Sequence, residues 1–143
     1  MQQSYNIPPH FPLDARVWVF VGDRSLSTPE VSQLNQSLND FLKTWQTHGK
    51  PLDAYGFVLH EAALVIVANE AEVQATGCSM DKINHFVKNA GMQLNVNFFD
   101  RMNVLTPIVN GTWGHAKFNK ENMTKDVHSN ITVLQDLTSR IFE

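Results

Sequence analysis

Two apolar runs constrain this chain most. Val17-Trp18-Val19-Phe20-Val21 and Leu64-Val65-Ile66-Val67 are β-branched, aromatic and aliphatic, with no polar residue at every second position. Side chains of a strand alternate between the two faces of its sheet, so an apolar run without alternation predicts a strand buried on both sides. The chain must therefore build a sheet and cover both of its faces.

The rest of the pattern supplies one cover. Thr28-Pro29-Glu30 predicts a helix start, with Thr28 as N-cap, Pro29 in the first turn and an acid facing the dipole. Val31, Leu34, Leu38, Phe41, Leu42 and Trp45 form one helical stripe, and Gly49 and Pro51 are expected to stop it. Tyr55–His60 and Ala62–Ala68 predict a tight hairpin, and Asn69–Thr76 a connector. A second helix is expected over Ser79–Ala90, ended by Gly91. Val104–Val109 reads as a fourth strand containing Pro107, Asn110–Lys120 as irregular, and Val127, Ile131, Leu134, Leu137 and Ile141 as a terminal helix.

The order strand, helix, strand, strand, helix, strand predicts an α+β fold, a ferredoxin-like βαββαβ sandwich with an appended C-terminal helix. A different α+β sheet built from the same elements is the alternative. The ferredoxin-like sheet runs fourth, first, third, second. That order places the two apolar runs at the centre and the Pro107 strand at an edge, which tolerates proline. One domain is expected over 1–143, with an extended proline-bearing lead-in (1–15), the core (16–109), and a loop and helix (110–143). Two helices cover one face only. The second is expected to be covered by the C-terminal helix or by a second copy, since burying ~300 Å² of apolar surface stabilises by roughly 7–8 kcal/mol before entropy. A homodimer is expected.

The net charge of −3 gives no electrostatic case for nucleic acid. No apolar run reaches the ~20 residues that span a bilayer, and Met1–Asn6 has neither a basic start nor an apolar core. With one cysteine, no internal disulfide is expected. These features predict a cytoplasmic protein without membrane insertion.

Topology then predicts two polar clusters. One end of the sheet should gather Arg16, Trp45, His48, Glu70, Cys78, Ser79 and Asp81. There Cys78 could act as a nucleophile with His48 as base, its thiolate favoured by the helix start and by Arg16. N–H groups near Ser79 could hold an anion or oxyanion. The structural reading of the same residues makes Cys78 a small buried hydrophobe, Ser79 an N-cap, Asp81 a dipole-facing acid and His48 a helix terminator. The other end should gather Asp23, Arg24, Asp100 and Arg101, where Arg24 and Arg101 could grip an acidic ligand in a guanidinium fork or simply pin loops. Asp81 and His85 share a helix face but are too few for a metal site, and no cofactor is expected. No G-x-x-x-x-G-K-[ST], G-x-G-x-x-G or G-x-S-x-G motif is present.

Arg16-Val17-Trp18, Asp23-Arg24, Trp45-x-x-His48-Gly49-x-Pro51, Gly77-Cys78-Ser79-x-Asp81 and Phe99-Asp100-Arg101 together resemble a family of short uncharacterised bacterial proteins. Members often carry the loose label "ABC transporter ATPase". The resemblance covers roughly residues 10–108 and implies a cytoplasmic bacterial protein, with no activity or catalytic residue to transfer. Members have an acidic pair where this chain has Asn69-Glu70. Without a phosphate-cradling loop, the label does not carry ATP chemistry to this chain. The residues alone point first to a non-catalytic domain binding a small acidic ligand or a protein partner. A thiol enzyme using Cys78 and His48, and an assembly protein using the second sheet face, are the other readings.

Overall fold

A computed structural model describes residues 7–99, 103–107, 113–117 and 131–140. Strands β1 (Arg16–Val21), β4 (Asp53–Leu59) and β5 (Ala63–Asn69) form an antiparallel sheet in the order β1-β5-β4. Helices α1 (Thr28–Thr44) and α2 (Gly77–Leu94) accompany it, so the fold is mixed α+β. A small hairpin, β2 (Gln46–Thr47) and β3 (Lys50–Pro51), follows α1. A second hairpin pairs β6 (Asn103–Pro107) with β7 (Trp113–Lys117), and α3 spans Leu134–Arg140. The expected neighbours first, third and second are found. The fourth, β6, comes near β1 but is hydrogen-bonded to β7 instead. Residues 113–117 were expected to be irregular. They form a strand because β6 offers them a partner, a non-local gain that outweighs the weak strand propensity of Gly114.

Both faces of the central strands are buried, as their lack of alternation demands. Trp18, Phe20, Val58, Leu64, Ile66 and Ala68 face the helices and pack with Leu34, Leu38, Ile83 and Val87. Val17, Val21, Phe57, Leu59, Val65 and Val67 face the other way. Phe11 and Ala15 of the lead-in and Ile131, Leu134 and Leu137 cover that second face. The cover comes from the chain itself, so the second face gives no ground for a second copy. Ile131 precedes the terminal helix rather than lying in it, and Val127 and Ile141 fall outside the described residues.

The helix ends differ from expectation for identifiable reasons. Ser27, not Thr28, caps α1: its hydroxyl accepts from the Glu30 N–H (3.3 Å), and Glu30 Oε1 accepts from the Ser27 N–H (2.9 Å). The helix stops at Thr44, short of Gly49, because Trp45 turns into the core. His48 (φ 51°) and Gly49 (φ 78°) then make the two-residue turn of the β2–β3 hairpin, both left-handed as a type I′ turn requires. Helix α2 begins at Gly77 with Thr76 as cap and runs through Gly91 to a left-handed Asn95. Gly91 serves close approach rather than termination. A side chain there would strike the returning Val96 carbonyl, to which the helix end is tied by the Val96 N–H on Gly91 O (2.8 Å). Among the described residues no helix is long and apolar enough to cross a membrane.

Candidate functional site

The first predicted cluster is partly assembled, as structure rather than as an open pocket. The Arg16 guanidinium lies over the Trp18 ring (5.0 Å to its centroid) and 3.9 Å from Glu70 Oε2. The same Glu70 oxygen accepts from the Ala75 N–H (2.8 Å), fixing the connector into α2. The Trp45 indole N–H donates to Ser79 O (2.8 Å), and its ring meets Trp18 edge-on at 5.8 Å. Ser79 is only 1% exposed. Its hydroxyl accepts from the Thr76 N–H (2.7 Å) and donates to Thr76 O (2.9 Å), so it closes the capping box instead of acting as N-cap or anion ligand. Every polar group in this set already has an internal partner.

Cys78 and His48 do not join it. Cys78 is exposed, which corrects the buried-hydrophobe reading, because helix α2 starts one residue before it and turns Ser79 inward in its place. His48 is exposed at the hairpin tip. The Thr47 and Thr76 hydroxyls bridge the two segments at 2.9 Å, yet among the described residues no hydrogen bond links His48 to Cys78.

At the opposite end, Arg24 grips Glu30 with its fork (2.9 and 2.6 Å) and also donates to Leu94 O (2.6 Å). It thereby ties the exit of β1 to the start of α1 and the end of α2. The Arg24 hydrogen bond, with the Ser27 N–H second, holds the Glu30 carboxyl well below its ordinary 4.5, at about 2; the same bond raises Arg24. A fork filled from within is not presented to a ligand. Asp23 Oδ1 accepts from the Asn97 N–H (3.1 Å). Asp100 and Arg101 lie outside the described residues.

The open site lies between these ends. A groove of about 1020 Å³ separates β1 from α2 and is closed at one side by residues 95–99. Its apolar wall includes Phe20, Val87, Val96 and Phe98, and Phe99 meets Phe20 edge-on at 5.7 Å. Met92 (72% exposed) and Phe99 (47%) present apolar side chains to water within its lining. Among the described residues its charged groups are Asp23, Asp81 and Lys88. Asp81 thus belongs to the groove rather than to a thiol site, along with His85. No group of side chains fit to hold a metal ion occurs among the described residues.

The periodicity of α2 carried a signal for this groove. Asp81, Asn84, His85, Lys88 and Met92 follow at steps of three, one, three and four, a second stripe beside the buried one, ending in an apolar residue that the core does not use. The facing wall of β1 could not be recognised before the strand order was known. No family model, no curated protein and no solved structure matches the chain.

Proposed function

We propose that this protein is a non-catalytic binding domain whose working surface is the groove between β1 and α2, and that its ligand is a protein partner. The observation that carries the reading is the exposed apolar pair Met92 and Phe99 in a groove of about 1020 Å³ with an apolar wall. Large apolar side chains held in water beside a concave surface are a mark of recognition sites. The acidic-ligand reading is less favoured, since Arg24 is held by Glu30 and Arg16 by Glu70 and Trp18. A thiol enzyme lacks its base contact. The ferredoxin-like plan is supported by the β1-β5-β4 order and by the approach of β6 to β1.

The test compares three forms of the chain purified from its source cells: native, Met92→Glu and Leu13→Glu. Leu13 is 60% exposed and lies outside the groove. The reading expects equal folding of all three and loss of one co-purifying protein from Met92→Glu alone. Loss from both variants, or from neither, overturns it.

A further inference from the structure

The two faces of the sheet are held by separate sets of side chains. The helix-side cluster draws on α1, α2 and the strands, and among the described residues it takes nothing from residues 7–15 or 131–140. The opposite cluster takes Phe11, Ala15, Ile131, Leu134 and Leu137 from those two segments. The segments are also bonded to each other and to the start of β1. The Leu134 N–H donates to Ala15 O (2.8 Å), the Gln135 N–H to Leu13 O (2.8 Å), and the Val17 N–H to Thr132 O (2.9 Å). Arg16 and Val133 face each other in an isolated antiparallel bridge. No described residue of either segment lines the groove.

Neither segment has structure of its own to rely on. Residues 7–15 contain no helix or strand. Helix α3 has seven residues, below the ~12–15 at which an isolated helix is even marginal in water. The His10–Asp53 contact (2.7 Å) ties the lead-in to β4 at an exposed position, where an ion pair adds little. Each segment therefore owes its order to the sheet and to the other segment, whereas the sheet and its two helices keep their own core on the far side. Segments that share their contacts open together, and those at the margin of a fold open ahead of the whole. We infer that residues 7–15 and 131–137 form a clasp that opens as one unit while the sheet, α1 and α2 stay folded. Its release uncovers the second sheet face, with Val17, Val21, Phe57, Leu59, Val65 and Val67. A face hidden in the closed chain thus becomes available when either segment is drawn away.

Native-state amide hydrogen exchange on the full chain, in guanidinium below the unfolding transition, tests this. The Val17, Leu134 and Gln135 amides report the clasp, and the Ile66 and Val87 amides report the sheet and α2. Corrected for intrinsic rates, the three clasp amides should exchange at one common rate, at least about tenfold faster than Ile66 and Val87. Ile83→Val, on the helix side, should speed Ile66 and Val87 by about two- to tenfold and leave the clasp amides unchanged, because the contact it weakens survives the opening. Phe11→Ala should speed Leu134 and Gln135 by one shared factor of about tenfold or more, and the milder Phe11→Leu by a smaller shared factor. Clasp amides that Ile83→Val speeds as much as the core would show that the segments unfold only with the whole chain, and overturn the inference. Leu134 and Gln135 rates that neither Phe11 variant changes would show that the segments open separately, and overturn it as well.

Discussion

Leu137→Ala probes whether α3 covers the second sheet face. Leu137 is fully buried and packs in the cluster that includes Val17, Val65 and Val67 of the sheet. Truncating a buried leucine costs about 2–5 kcal/mol, from lost transfer energy plus the cavity left behind. Because α3 is only seven residues long and can settle partly into the gap, about 3 kcal/mol is expected. For a chain of 143 residues this lowers Tm by roughly 6–12 °C. Urea unfolding followed by tryptophan fluorescence should show a lower midpoint at unchanged slope, since the surface exposed on unfolding is nearly the same. A loss below about 0.5 kcal/mol, the level of an exposed substitution, would mean that the helix does not pack there and that something else covers the face.

Gly56 lies beneath α1, where an added methyl would sit 2.8 Å from Leu38 Cγ and 3.0 Å from Leu42 Cδ1; Gly56→Ala should cost about 1–3 kcal/mol by overpacking, measured by thermal unfolding. Glu30 titrates lower in the folded chain than its ordinary 4.5, so it adds stability that is fully present above that value and is lost as pH falls toward about 2. The stability difference between native protein and Glu30→Gln should therefore shrink through that window; a constant difference would contradict the Arg24–Glu30 link. Cys78 is exposed, so a thiol reagent should label it fully in the native state, without denaturant, and protection until unfolding would contradict the placement.

Much of the fold was legible because burial on both faces leaves a plain mark. The runs of β1 and β5 announced a covered sheet, and the stripe of α1 announced its cover. The β4–β5 hairpin was readable from two runs separated by Glu61 alone, and it closes through left-handed His60 (φ 52°) and Glu61 (φ 57°). What escaped was set by tertiary contact. Trp45 fits the α1 stripe, yet the carbonyl of Ser79 and the ring of Trp18 draw it out of the helix, and His48 follows into a hairpin turn. Gly91 looked like a stop because glycine often ends helices, but its use is to let Val96 return. Topology rightly brought Arg16, Trp45, Glu70 and Ser79 to one end, but side-chain type alone could not show that they satisfy one another. The pairing of Arg24 with Glu30, six residues apart across a helix start, was hidden for the same reason.

The groove as working surface is tested most directly by site-specific photo-crosslinking in the source cells. A crosslinking residue replaces Lys88, in the groove, or Gln33, exposed on α1 and outside it. The account predicts a single defined adduct from position 88 and none from position 33. The same adduct from both positions, or from position 33 alone, would contradict it.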